Sequence, residues 1–200
     1  MSPKVFVNSE IGKLRKVIVH APGNELLAVT PSNRLEYLYD DIIDREGAAE
    51  EHRRFTSILK HFTEVLEVSE LLEEVLDIPE AREFLLKRTE EITAQNALRK
   101  ELGDLSAADL VSRIVEGWKM PYGPFSQALN KESYILPPLP NLFFTRDASV
   151  VVGDKVLISA MRFESRWPEE VLMRTVFGYH PECANAGILY DGSAERRHDY

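Results

Sequence analysis

A carboxylate, an aromatic pair and an arginine crowd into one short stretch, Asn141-Leu142-Phe143-Phe144-Thr145-Arg146-Asp147. A flat cation with a fixed charge is best held by a carboxylate that accepts two parallel hydrogen bonds, with an aromatic ring against its face. Asp147 and Phe144 are residues of those two kinds. Each also has a plainer use: Asp147 could pair with Arg146 at a strand end, and Phe144 could fill a core. Arg166, taken alone, would be a solvated charge at a helix start. Cys183 lies in His180-Pro181-Glu182-Cys183, where a nearby imidazole could lower a thiol pKa. A lone cysteine is more often a small buried hydrophobe, and that is the reading adopted. His20, His52, His61 and His198 have no partners at ligand-like spacing and are expected to be structural or surface residues.

Several elements must position these residues. Pro137, Pro138 and Pro140 hold the approach extended, because proline fixes φ and pushes the preceding residue out of the helical region. In an extended segment Asn141, Phe143, Thr145 and Asp147 would share one face, and Leu142, Phe144 and Arg146 the other. Residues 148–152 and 155–159 are apolar, β-branched runs separated by Gly153-Asp154, which predicts a two-residue hairpin. Ser165-Arg166-Trp167-Pro168-Glu169-Glu170 predicts a helix start, ending at Gly178. Residues 187–200 carry no expected element.

Upstream, residues 4–7 and 14–19 are expected to be two opening strands joined by a turn, and residues 35–41 (LEYLYDD) a loop. Over 46–66 the apolar residues Phe55, Ile58, Leu59, Phe62, Val65 and Leu66 recur at helical spacing and predict one buried stripe. Residues 65–68 then leave it as a strand. Strand, helix, strand in that order marks an α/β unit. Residues 69–133 change character to consecutive amphipathic helices: a start at Asp77-Ile78-Pro79, another at Ser106-Ala107-Ala108-Asp109, and Gly117 at a helix end. The expected organisation is an α/β body, 1–68 and 134–200, with a helical insertion at 69–133 to which no chemistry is assigned.

Composition narrows the functional classes. The 200 residues are 44% hydrophobic and carry a net charge of −9, with basic residues scattered among acids, which argues against a nucleic-acid surface. No apolar run approaches a membrane span, and the opening residues lead straight into a strand-like run, so a cytoplasmic address is expected. One cysteine and no paired Cys/His spacing imply neither an internal disulfide nor a zinc site.

Several of these stretches resemble the arginine deiminase family of guanidino-group-modifying enzymes. VNSEIGKLRKVIVHAPGNEL resembles the family's opening strand pair, LEYLYDDI its substrate-lid loop, PNLFFTRD its guanidinium-binding motif, and the hairpin followed by Ser165-Arg166 its next blade. Ala148 stands where the family usually has proline. The resemblance implies the first blades of a pseudo-fivefold α/β propeller with an inserted all-helical subdomain. It implies hydrolysis of L-arginine to L-citrulline and ammonia, with Asp147 as a catalytic carboxylate on the guanidinium. Phe144 would lie against the guanidinium, Arg166 and Asn141 would hold the amino-acid end, and Leu38 would be the lid residue whose backbone reaches the substrate. No metal or cofactor is implied. The nucleophilic cysteine, histidine and second carboxylate lie in the family's C-terminal half, so the expected partners are L-arginine and that half or a homo-oligomer mate. Two alternatives stay open: a non-catalytic binding or assembly subunit of a split enzyme, and a related amidinotransferase or hydrolase of another guanidino compound.

Overall fold

The computed structural model describes residues 5–93, 98–119 and 134–194. β1 (Lys16–Val19) and β2 (Glu64–Glu67) pair in parallel, with Val17 opposite Val65. Parallel strands need a long crossover, and α1 (Arg45–Leu59) supplies it, capped by Asp44, whose carboxylate accepts from the Gly47 N–H at 2.7 Å. The expected strand-helix-strand unit is therefore present. The expected strand at 4–7 is not: Val7 makes only an isolated antiparallel bridge, exchanging two 2.8 Å hydrogen bonds with Gly153. Residues 6–15 are all exposed, so no buried face fixes a register against β1. Lys4 lies outside the described residues.

The apolar stripe expected over 46–66 differs in two ways. The helix stops at Leu59, and β2 begins at Glu64, so Phe62, Val65 and Leu66 are not on it. No residue of α1 is buried, and Phe55 and Ile58 are 54% and 59% exposed. The periodicity is real, but no layer among the described residues covers that face.

The core lies elsewhere. α2 (Val68–Val75), α3 (Pro79–Thr93), α4 (Leu98–Gly103) and α5 (Ala107–Glu116) share one apolar cluster with the later hairpin and a long helix after it. α5 begins as the sequence predicts: the Asp109 N–H donates to Ser106 Oγ at 3.1 Å, and that hydroxyl donates to the Asp109 carboxylate at 2.6 Å. Gly117 follows at φ +84°, and a Cβ there would stand 2.7 Å from Pro138 N. This close passage seats the proline-rich approach on α5, where the Leu139 N–H donates to the Val115 carbonyl at 2.9 Å.

β3 (Trp118–Lys119) and β4 (Tyr134–Leu136) form a short antiparallel pair. A single turn, α6 (Thr145–Ala148), leads into β5 (Ser149–Val152) and β6 (Lys155–Ile158), the predicted hairpin, with Val152 opposite Lys155. α7 (Trp167–Tyr179) crosses over to β7 (Gly187–Asp191), which pairs in parallel with β6. Gly178 does not end α7: the helix runs to Tyr179 and closes through His180 N–H to Val176 O. The Arg174 guanidinium lies over the Gly178 backbone. The chain is thus a mixed α/β structure with three small sheets, and these sheets form no closed ring among the described residues. Residues 120–133, the far end of the expected insertion, and His198 lie outside the described residues.

Candidate functional site

The motif segment is not extended. Leu142 N–H donates to Leu139 O at 3.1 Å, Phe144 N–H to Asn141 O at 2.9 Å, and Asp147 N–H to Phe144 O at 2.9 Å. These are successive four-residue turns with i→i+3 hydrogen bonds, so the alternating faces expected for a strand do not form. The proline-led approach ends against buried Leu139, and the backbone turns there to satisfy its own polar groups rather than continue without a partner strand. Thr145 Oγ1 donates to Ile18 O at 3.2 Å, and Ser159 N–H to Ala148 O at 3.1 Å, which ties this turn to β1 and the hairpin.

Loop 35–41, a loop as expected, is fastened to this segment. Buried Asn141 donates from Nδ2 to Tyr37 O at 2.8 Å, and Tyr39 donates its hydroxyl to Pro140 O at 2.6 Å. Ser165 Oγ donates to Glu36 O at 3.3 Å. Burial, with Glu25 and Glu169 nearby, pushes the Tyr39 phenol pKa up. Between these anchors Leu38 sits at φ +65°, the one positive-φ residue other than glycine among the described residues, with its side chain exposed. A leucine held there stores strain of order 1 kcal/mol, and such strain clusters at functional sites.

Arg166 is not a solvated charge; it is 8% exposed. Its Nε and Nη2 donate to the two Glu169 carboxylate oxygens at 2.9 and 2.8 Å, and its Nη1 donates to Asp147 Oδ2 at 2.9 Å. Burial alone would lower the guanidinium pKa, but Glu169 and then Asp147 outweigh it and raise it. Glu169 is 1% exposed, and burial pushes its pKa up to about 7 against the pull of Arg166. The Asp147 side chain keeps half its surface in solvent. Arg146 does not pair with Asp147; it pairs with Glu10 through two 3.0 Å contacts. The Phe144 ring is half exposed and tilts against Phe143, centroids 4.1 Å apart. A cavity of about 350 Å³ lies beside Phe143, between Leu26, Ile43, His52 and Phe55.

Asn141 and Ser165 thus each hold the loop that carries Leu38, and Arg166, next to Ser165, holds Asp147. Glu169, Tyr37 and Tyr39 were missed. The acid three residues after Arg166 at a helix start was a readable sign of an ion pair; a carbonyl acceptor such as that of Tyr37 leaves no mark in a sequence.

His20 is structural, as expected, but tightly so. It is buried, with Nδ1 3.0 Å from Glu67 Oε1 and Nε2 3.4 Å from Glu25 Oε1. Burial lowers its pKa, but the two carboxylates outweigh that and raise it to about 9. Cys183 is buried in the core, and the His180 ring meets Glu74 Oε2 at 3.1 Å and the Glu182 N–H at 3.2 Å. Among the described residues no helix is long and apolar enough to cross a membrane.

A family profile described as arginine deiminase matches residues 36–199. Among curated proteins, an arginine deiminase of Lentilactobacillus hilgardii is 35% identical over 204 residues, covering 94% of this chain and 49% of the relative. One of Latilactobacillus sakei is 34% identical over 201 residues, with the same coverage. The chain spans about half the length of the curated relatives it matches. The profile takes in most of loop 35–41, the turn segment and the Arg166 helix start together, and on that match the chain belongs to the arginine deiminase family.

Proposed function

We propose that this chain supplies the substrate-binding part of an arginine deiminase, which hydrolyses L-arginine to L-citrulline and ammonia. In this reading Asp147 accepts hydrogen bonds from the guanidinium, a planar cation suited to a carboxylate's two oxygens, and the Phe144 ring lies on its face. Arg166 presents its fork to the substrate carboxylate, Asn141 holds the same end, and the Leu38 backbone reaches in from the lid. A cysteine thiolate in the other half of the family's length attacks the guanidinium carbon. A histidine there protonates the departing ammonia, and water then hydrolyses the thiouronium intermediate to citrulline and frees the thiolate. No metal or cofactor takes part.

The observation that carries this reading is the 2.9 Å contact between Asp147 and Arg166, residues distant in sequence that meet beside the loop carrying Leu38. The α/β parts, 1–68 and 134–200, form the first blades of a five-bladed propeller, 69–133 is an insertion, and the enzyme works in the cytoplasm. The uncovered face of α1 favours one further role, assembly with the remaining half or a second copy.

Saturation-transfer NMR of the purified chain with L-arginine, beside a citrulline assay, tests this. Saturation reaching the arginine methylenes without citrulline formation is the expected result. Citrulline from the chain alone would overturn the division of labour, and no transfer to L-arginine would overturn the binding site.

A further inference from the structure

Residues 30–40 fold on themselves. The Arg34 carbonyl accepts from the Tyr37 and Tyr39 N–H groups at 3.2 and 2.9 Å. The Arg34 side chain donates from Nη1 to Pro31 O at 2.7 Å and from Nε to Asp40 O at 3.1 Å. The loop is therefore a small body that docks as a unit. Its docked face is an apolar cluster in which Tyr37 and Tyr39 pack with Leu26 and Val29, and Phe143 lies against them. Two buried hydrogen bonds cross this seam in opposite directions. The Tyr39 hydroxyl donates to Pro140 O at 2.6 Å, and Asn141 Nδ2 donates to Tyr37 O at 2.8 Å. They land on adjacent residues, 140 and 141, so one cannot part far without breaking the other. The third tie, from Ser165 Oγ to Glu36 O, is exposed and longer, at 3.3 Å.

Leu38 lies between the two bonded residues at φ +65° with its side chain turned out to solvent. A strained residue persists only where its surroundings over-determine it, and here both neighbours are buried and fastened. Resting on the proposed arginine site, we infer that Tyr39 is a positioning residue: its hydroxyl and the Asn141 amide form one clasp that holds the Leu38 backbone where the substrate meets it. The clasp closes on the turn segment that leads to Asp147, so loop and carboxylate share one support. A phenylalanine at position 39 would fill the same apolar cluster but deprive the buried Pro140 carbonyl of that donor.

Hydrogen exchange of the Asn141 side-chain amide, followed by NMR in the ligand-free whole chain, reads the clasp from its other bond. In Tyr39→Phe this exchange should run about fivefold faster, the worth of one hydrogen bond. In both proteins it should be insensitive to low urea, as a local opening is, whereas the most protected amides of α7 should respond to urea. Ser165→Ala should change it by less than about twofold. Unchanged Asn141 exchange in Tyr39→Phe, or exchange that follows urea as α7 does, would overturn the clasp. The positioning role is read with L-arginine, whose dissociation rate should rise about fivefold in Tyr39→Phe, with its association rate little changed. If L-arginine binds both proteins and leaves both at the same rate, the positioning role falls while the arginine site stands. If L-arginine binds neither, the proposed site falls and the positioning role with it, whatever Asn141 exchange shows.

Discussion

Glu169 carries the largest energetic consequence of any single carboxylate around the site. It is buried against Arg166 with both oxygens engaged, so truncating it leaves a buried guanidinium short of its partner. Glu169→Ala should destabilise the chain by about 3–5 kcal/mol in urea denaturation, and Glu169→Gln by less, since its amide oxygen still accepts from the fork. His20 makes a pH prediction. Its folded pKa of about 9 lies above the ordinary 6.5, so the folded state binds the extra proton. The stabilisation is fully present below pH 6.5 and is lost as pH rises through 9, amounting to about 3 kcal/mol at most. Stability measured from pH 6 to 10 should fall in the wild type and stay flatter over that range in His20→Gln. At this scale, Asp147 and Arg166 are singled out by their resemblance to the family's motifs; taken alone, Arg166 reads as a solvated charge, which its burial contradicts. Their contact with each other was not legible, because an ion pair between residues remote in sequence is set by the turn of the backbone, not by spacing.

Two elements hold the site through backbone positions that few residues tolerate. Gly117 sits at φ +84° with Pro138 N where a Cβ would go, so Gly117→Ala forces apart the seam between α5 and the approach to Asn141. A loss of roughly 2 kcal/mol or more in thermal or urea unfolding is expected. Leu38 behaves differently. Leu38→Gly relieves about 1 kcal/mol of strain at φ +65° but adds a backbone-entropy cost of about 0.5–1 kcal/mol, so urea denaturation should show a change within about 0.5 kcal/mol, while L-arginine binding weakens if the strained backbone is what meets the substrate. The hairpin and the α5 start were legible because turn glycine and capping serine act locally. The segment 141–147 was misread as extended because its proline-led approach looks like a strand, and only the packing of Leu139 and Leu142 against the core decides that it turns. β7 was invisible for a related reason: its pairing with β6 depends on the α7 crossover, which a short run of letters does not encode.

At the scale of the whole molecule, one apolar face is left uncovered among the described residues. Phe55 and Ile58 on α1 and Phe62 just after it are exposed at helix-compatible spacing, an apolar surface that water does not favour. Sedimentation velocity should show concentration-dependent self-association of the wild type, and Phe55→Ser/Ile58→Ser should reduce it without lowering the unfolding midpoint, since neither residue is in the core. The helical stripe was right only for Phe55, Ile58 and Leu59, and its burial was wrongly inferred, because periodicity shows which face is apolar and not what covers it. The family was legible from the resemblance of particular stretches, PNLFFTRD above all. The most direct measurement is calorimetric titration of L-arginine into the wild-type chain and into Asp147→Asn. The account predicts binding to the wild type and an affinity reduced about tenfold or more in the variant, the loss expected for a charged hydrogen-bonding partner. Equal affinity in both proteins, or no binding to either, would contradict it.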